Sequence, residues 1–367
     1  MPKNAIDVQM SAYDPKRTSA SLNEFLLNLY DACQGAVMRR REFIALIGGA
    51  ATSSSLWSRK ALGQQNNRIY RIGYLGLGPA ATSATRVDAL LAGLRDLGYV
   101  EGKNLVIEFR WAGSPDQLQR LAAELVLLNV ELIFGTSSTE VGAARQATTT
   151  IPIVFASHAD PVGTGHVASL ARPGGNITGL SVVQTDLSAK AIEILKEAIP
   201  LATRFGILSS PTVPSHRPTV EAARTAGEKL GLALHTAIVE TADDFEAAMA
   251  SLERAGVHAL FVAASSLTVR SNPTLLADLA LKYRMPTMFG SRDNVAAGGF
   301  MSYAPDQVDL SRRAATYVDK ILKGAKPSDL PVEQASKYQF VINLRTSKSL
   351  GITIPPTLLA RADELIE

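Results

Sequence analysis

The chain of 367 residues is nearly without cysteine, because Cys33 is the only one. Residues 34–367 therefore hold no disulfide, no thiol nucleophile and no thiolate metal ligand. No cysteine follows the apolar run at 44–57, so the sequence also argues against a lipid-anchored leader. Enzymes and metal proteins that depend on cysteine are excluded for this part of the chain.

An excess of charge of one sign is lacking too. The chain has 37 Lys and Arg against 34 Asp and Glu, and residues 1–63 hold 8 and 5 of these, which leaves 29 of each. A neutral remainder argues against nucleic acid as a partner. The five histidines are scattered without metal-ligand spacing, and neither a Gly-x-Ser-x-Gly elbow nor a Walker A loop occurs. We therefore predict no catalytic residue, no cofactor and no metal.

The segment 38–63 has the layout of an export signal. Arg39, Arg40 and Arg41 precede an apolar run, and a polar piece with small residues at 61–63 follows it. These are the three regions of a signal peptide, and the run is short for a membrane span. The order Arg-Arg-x-Phe-Ile is similar to a twin-arginine signal, although the general secretion route uses the same layout.

Residues 1–37 show no strong period and no domain-sized core. Because export signals normally begin within a few residues of the start, we expect Met38 to be the true start. The preceding 37 residues are then a disordered start overcall, that is, a stretch included because the translation start was assigned too early. N-terminal sequencing of the unprocessed protein tests this expectation.

The remaining chain contains an internal repeat. Residues 71–98 and 204–231 both begin Arg-apolar-Gly, continue through a loop of small residues and an amphipathic helix, and end on Leu-Gly. Later segments match in the same order, including 131–138 with 258–266 and 151–160 with 285–293. Repeated strand-helix units predict parallel sheets covered by helices on both faces. The repeat therefore predicts an α/β protein of two similar lobes.

The ends of the predicted strands supply the candidate ligand-binding residues. Ligands of open parallel sheets bind outside the carboxyl ends of the strands, and the loops there are small or polar. Hydroxyl groups suit a carboxylate or a polyol, and Asp160 or Asp293 suits an ammonium group. The predicted ligand-binding residues are Gly78, Thr136, Ser137, Ser157, His158, Asp160, Ser209, Ser265, Ser291, Asp293 and Tyr303.

Structural roles remain open for several of these residues. Asp160 precedes Pro161, which is the pattern of a helix N-cap. Ser137 stands where it can cap the next predicted helix. The alternative for His158 is a position on the surface, and the alternative for Tyr303 is packing in a wall or core. Hydrogen-bond and burial patterns in a structure distinguish these roles.

Four stretches resemble one family: "GYVEGKNLVIEFRWA", "IPIVFASHADPVGTG", "ARPGGNITGLS" and the C-terminal run from "LPVEQASKYQF" onward. They are similar to the ABC transporter substrate-binding proteins of the group with tryptophan- and tyrosine-binding members. The resemblance covers about residues 68–367. It implies a type I periplasmic binding protein fold, with two Rossmann-like lobes and three interlobe crossovers, at 174–183, 298–307 and 330–340.

The resemblance also implies the domain boundaries and the function. Lobe 1 is expected at 68–178 plus 305–330, and lobe 2 at 179–304 plus 331–367. The lobes close on a small molecule, an amino acid or small organic solute, and pass it to an ABC permease. The expected protein is monomeric, periplasmic and non-enzymatic, and the export machinery is its other partner. A ligand-sensing periplasmic receptor of the same fold and an exported α/β enzyme remain the alternatives.

Overall fold

The computed structural model describes residues 68–182, 184–213, 215–265, 268 and 273–367. The export segment at 38–63 and the expected start overcall at 1–37 lie outside these residues. Residues Arg68–Glu367 form one compact unit. Within the described residues, no helix is both long and apolar enough to cross a membrane.

The first half of the unit alternates strand and helix. Its elements are β1 (Tyr70–Leu77), α1 (Ala84–Asp96), β2 (Leu105–Ala112), α2 (Gln117–Leu127), β3 (Leu132–Gly135), α3 (Ser138–Ala147), β4 (Ile153–His158) and β5 (Ile177–Ser181). The strands β1, β3, β4 and β5 are almost wholly buried. Continuous burial is what a parallel strand covered on both faces requires.

The second half repeats this alternation. Its elements are α4 (Gln184–Ala198), β6 (Arg204–Ser209), α5 (His216–Lys229), β7 (Ala233–Ile238), α6 (Asp244–Arg254), β8 (Ala259–Val262), α7 (Pro273–Lys282), β9 (Thr287–Phe289), α8 (Arg292–Ala296) and β10 (Met301–Pro305). The C-terminal part adds α9 (Gln307–Leu322), β11 (Glu333–Gln334), β12 (Tyr338–Asn343), α10 (Leu344–Leu350), α11 (Pro356–Leu359) and β13 (Glu364–Ile366).

The strand order confirms the predicted duplication. The six-stranded first sheet contains the order β5-β4-β3-β1-β2, and the seven-stranded second sheet contains β10-β9-β8-β6-β7. Each sheet has a separate apolar core on each face: two cores pack on the first sheet and two on the second. The predicted architecture of two α/β lobes with helices on both faces is therefore correct.

Two strands, β12 and β13, run opposite to the others of the second sheet and pair parallel with each other. β12 pairs antiparallel with β10, and its first residue, Tyr338, lies opposite Pro305 at the end of β10. The chain reaches β12 directly from β11, which belongs to the first sheet. Since the chain enters the second sheet at the carboxyl ends of its parallel strands, β12 must run in the opposite direction.

Sheet membership differs slightly from the predicted lobe boundaries. β5 stays in the first sheet through Ser181, past the expected boundary at residue 178, and Glu333–Gln334 still pair with β5, past the one at 330. Gly179 explains why β5 fits there: its φ is +150°, and a Cβ would lie 2.0 Å from the carbonyl oxygen of Phe155. The helix α9 packs against the core of the first lobe.

Candidate functional site

A cavity of about 130 Å³ lies where the two lobes meet. The carboxyl ends of β3 and β4 reach it from the first lobe, and those of β8 and β9 reach it from the second. The helix α4 and the start of α9 complete its wall. The cavity therefore occupies the position that open parallel sheets use for ligands. For comparison, an apolar cavity of about 150 Å³ accommodates benzene, so this space suits one small molecule.

Part of the predicted set lines this cavity. The hydroxyl-bearing residues among them come from both lobes, and the structure places together Thr136, Ser137, Ser157, Ser265, Ser291 and Tyr303. Ser157 Oγ accepts a hydrogen bond of 3.2 Å from Nε2 of Gln307. Ser291 also caps α8, because its Oγ accepts from the backbone N–H of Asp293 at 3.2 Å. A capping role and a cavity position thus coexist at Ser291.

Other predicted residues do not line the cavity. Gly78 is buried at the end of β1, where its N–H donates to the carbonyl of Ala112. Ser209 is buried beside His216, with Oγ 3.4 Å from Nδ1. These two positions end the first strand of each lobe. The strand ends that reach the cavity belong instead to neighbouring strands, which sequence order alone does not reveal.

Asp160 does not cap a helix, because turns and no helix lie between β4 and β5. Its Oδ1 accepts a hydrogen bond of 2.7 Å from the N–H of Gly163, and a Cβ at Gly163 would meet the same carboxylate. Asp160 faces a second cavity of about 230 Å³. Ala159 and Gln184 line both cavities, so Asp160 lies in a space next to the one that Ser157 lines.

His158 is fully buried, not exposed at the surface. Its Nε2 lies 2.7 Å from Nδ1 of His166, and its Nδ1 is within 3.2 Å of Ser138 Oγ and accepts from the N–H of Asp160. Burial, with the neighbouring His166, lowers the pKa of His158 to about 3. Burial, with Arg145, lowers the pKa of His166 to about 4. Both rings are therefore neutral at pH 7 and act as structural supports behind Ser138.

Arg86 is a cavity residue that the sequence interpretation missed. It lies in α1, is 7% exposed, and lines the cavity. Its Nη2 donates to the carbonyl of Thr82 at 2.7 Å, and its Nη1 lies 3.4 Å from Oδ2 of Asp293. Asp293 belongs to the second lobe, so this ion pair connects the two lobes. The only cue in the sequence is an arginine directly after the small-residue loop, where an apolar helix face begins.

Glu140 is a second missed residue. Its side chain is fully buried in the first turn of α3. Thr136 Oγ1 donates to its Oε1 at 3.0 Å, and Ser137 Oγ donates to its Oε2. Both hydroxyl groups line the cavity. A buried carboxylate therefore stands directly behind the polar wall of the first lobe.

Most of the apolar residues that line the cavity belong to the second lobe. Its described side chains include Leu187, Ala191, Val213, Phe261 and Ala264. Gly290 also lies on the wall, and a Cβ there would come within 2.4 Å of the Cβ of Ala264. Glycine at 290 thus permits the ends of β8 and β9 to approach closely. Among the described residues, the lining combines the guanidinium of Arg86, several hydroxyl groups and an apolar face.

The described residues were also compared with the requirements of a metal site. No group of three or more His, Cys, Asp or Glu side chains is placed to hold a metal ion there. Neither His158 nor His216 lines the cavity. His158 nevertheless lies close behind the wall, because its Nδ1 is 3.2 Å from Oγ of Ser138, which lines the cavity.

Two lobes built on matching sheets, with a cavity at their facing strand ends, define the class of type I periplasmic binding proteins. The profile of the family "ABC transporter substrate binding protein" matches residues 79–366, and the chain belongs to that family.

Similar proteins agree with this assignment. A tyrosine-binding protein from Clostridioides difficile is 27% identical over 261 residues, which are 71% of this chain and 74% of the relative. The crystal structure of an ABC domain from Streptococcus pneumoniae in complex with L-Trp has a TM-score of 0.76 and 26% identity, and covers 81% of this chain and 100% of that one. A conserved domain protein from Vibrio cholerae has a TM-score of 0.77 and 27% identity over the same shares.

Proposed function

We propose that the interlobe cavity binds one free amino acid, which the protein then delivers to an ABC permease. The observation that carries this proposal is the lining of the cavity: a buried guanidinium, hydroxyl groups and an apolar face. The relatives that bind tyrosine and L-Trp support the ligand class.

Arg86 is the proposed partner of the ligand carboxylate. A guanidinium presents a fork of N–H donors that matches a carboxylate, and such charge-assisted bonds are among the strongest in proteins. The apolar face of the second lobe, with Leu187 and Phe261, then receives the amino-acid side chain. The volume of about 130 Å³ limits the ligand to a single residue and argues against peptides and oligosaccharides.

Closure of the lobes is the proposed capture step. The chain passes between the two sheets through short segments next to β5, β10 and β11, and short connections of this kind serve as hinges in domain closure. We propose that these segments act as the three expected crossovers. The Arg86–Asp293 ion pair joins the lobes at the cavity, so it helps to hold the closed form.

The location and the remaining partners follow from the family and the leader. We propose that segment 38–63 directs export, that the mature protein works as a periplasmic monomer, and that it catalyses no reaction. Size-exclusion chromatography with light scattering of residues 64–367 tests the oligomeric state. Fractionation of cells that express the full chain tests the export.

A ligand screen tests the proposal itself. Purified residues 64–367 are heated with each of the common amino acids, with small organic acids and with sugars. A ligand that binds only the folded state raises the melting temperature, by mass action. We expect one or a few amino acids to raise it and to give a one-to-one isotherm by calorimetry. A shift with sugars alone, or turnover of a compound, contradicts the proposal.

A further inference from the structure

The position of Glu140 determines which way two cavity hydroxyl groups point their protons. Thr136 Oγ1 donates to one carboxylate oxygen of Glu140, at 3.0 Å, and Ser137 Oγ donates to the other. Glu140 is 0% exposed, and Thr136 is 5% exposed. The arrangement is therefore fixed inside the protein, behind the surface that a ligand touches.

A hydroxyl group has one proton to donate and two lone pairs with which to accept. Because Thr136 and Ser137 give their protons to Glu140, only lone pairs are left for a group in the cavity. Donation to Glu140 strengthens this preference, because hydrogen bonds in a chain polarise one another in a low-dielectric site. This wall thus accepts hydrogen bonds and favours a cationic donor.

We propose that Glu140 is a positioning residue that makes the cavity select ligands with an ammonium group. The inference rests on the proposed function, because it assigns the second end of the amino acid: the carboxylate to Arg86, and the ammonium to the hydroxyl oxygens of Thr136 and Ser137. Glu140 itself touches no ligand and acts through these two hydroxyl groups.

The second lobe shows that the fold does not require hydroxyl groups at these two positions. There the residues after β8 that match Thr136 and Ser137 are Ala263 and Ala264. Neither has a hydroxyl group, and the carbonyl oxygen of Ala264 already receives hydrogen bonds from Gln184 and His216. The two hydroxyl groups of the first lobe therefore have no counterpart at the matching described positions of the second.

The test compares ligand pairs that differ only in the ammonium group. The probes are L-tryptophan with indolepropionate, L-phenylalanine with phenylpropionate, and L-leucine with isocaproate, each titrated by calorimetry. The variant is Glu140→Gln, whose amide has the shape of the carboxylate but donates as well as accepts, so that a hydroxyl proton turns into the cavity. We expect amino-acid affinity to fall at least about tenfold, which is about 1.4 kcal/mol, and the affinity for the deaminated partner to change less than about threefold.

The ratio of the two affinities decides the result. A merely structural role of Glu140 lowers both affinities by the same factor, and that outcome overturns the inference while the proposed function stands. Wild-type protein that binds no amino acid overturns the proposed function itself. Glu193→Gln, an exposed glutamate on α4, is the matched control and leaves both affinities unchanged.

A second variant keeps the test decisive if Glu140→Gln does not fold. Ser137→Ala removes one of the two acceptors and leaves Glu140 in place. We expect the same direction: a larger loss for the amino acid than for its deaminated partner. Equal losses, or a larger loss for the deaminated acid, contradict the inference.

Discussion

The two lobes have the same strand order and different chemistry at the cavity. In the first lobe, Arg86 and the hydroxyl groups of Thr136 and Ser137 form a polar wall. In the second lobe, the wall combines apolar residues such as Phe261 and Val213 with the hydroxyl groups of Ser188, Ser215, Ser265, Ser291 and Tyr303. The position of the second repeat that matches Arg86 is Thr219, which is fully buried and donates to its own helix, to the carbonyl of Ser215.

This difference teaches that the duplicated sheet sets where a ligand binds, and individual side chains set what binds. A fold positions strand ends and helix starts in the same place in both lobes, but it does not determine the residues there. A ligand with a charged end and an apolar end fits between a wall that carries a guanidinium and a wall that includes an apolar face. The comparison of the lobes is therefore the basis of the amino-acid proposal, and it can be broken by experiment.

The largest expected effect is at Arg86. Arg86→Met removes the cation of the polar wall and keeps the length of an apolar side chain. We expect the affinity for amino acids to fall about a hundredfold, because a buried charge-assisted interaction contributes about 1.5–3 kcal/mol. Calorimetric titration measures the loss. Arg95→Gln, on the exposed side of the same helix, is the control; equal affinities for Arg86→Met and wild type would falsify the assignment of the carboxylate.

The two buried histidines, one in each lobe, allow the lobes to be compared through the pH dependence of the free energy of unfolding. His158 in the first lobe and His216 in the second both accept a backbone N–H at Nδ1, from Asp160 and from Ser210, and burial lowers the pKa of both. Between about pH 6.5 and the lowered pKa, the unfolded chain binds a proton that the folded protein excludes. The free energy of unfolding therefore falls as the pH falls through this range.

For His158 the fall is at most about 1.4 kcal/mol per pH unit, and it levels off near its folded pKa of about 3. Urea unfolding at pH 7, 6 and 5 measures it. We expect His158→Gln to make the pH dependence less steep than in the wild type. An unchanged slope in His158→Gln contradicts the buried neutral state.

An intermediate effect is expected from the second lobe. Tyr303 lines the cavity, and its ring stacks on that of Tyr338 with centroids 6.0 Å apart. Tyr303→Leu keeps an apolar wall but removes an aromatic contact, which is worth about 0.5–1.5 kcal/mol. If an aromatic amino acid binds, its affinity should fall about three- to tenfold while that of leucine changes less. Titrations of the variant with both ligands measure the two losses. Equal losses of affinity would mean that Tyr303 does not contact the ligand.

The smallest effect is expected at the ion pair between the lobes. Asp293→Asn removes the partner of Arg86, but the side chain of Asp293 is 43% exposed and the separation is 3.4 Å. Exposed pairs contribute about 0–1 kcal/mol and are screened by salt. We expect a loss of ligand affinity of at most about fivefold, which disappears at high ionic strength. A large loss that salt does not reduce would instead mean that Asp293 contacts the ligand directly.

The repeat made the fold predictable from the sequence. Matched strand-helix units over 71–98 and 204–231 specify two parallel sheets, because hydrophobic periodicity is a local property. The strand ends gave Thr136, Ser137 and Ser157 by the same reasoning. Tyr303 was predicted with its role open, and the structure places it on the cavity wall.

Glu140 and Arg86 were missed for a physical reason. Both lie inside amphipathic helices, where a charged residue normally faces solvent, and burial of a charge depends on partners that the chain brings from elsewhere. Arg86 meets Asp293 of the other lobe, and Glu140 meets hydroxyl groups one helical turn away. No spacing rule distinguishes Arg86 from the exposed Arg95. Glu140 does have a cue in the sequence, because it follows Ser137 at the Ser-x-x-Glu spacing of a capping box.

The sequence by itself determined the family, the two duplicated lobes and the edge of the sheets at which a ligand binds, because these depend on local periodicity and strand-end chemistry. Only the tertiary structure decided which strand ends meet and that His158 and Asp160 do not line the cavity of about 130 Å³. It also decided that the guanidinium of Arg86 and the carboxyl group of Glu140 are buried at its wall. Burial controls the hydrogen bonding of these groups, and it exists only once the lobes have formed.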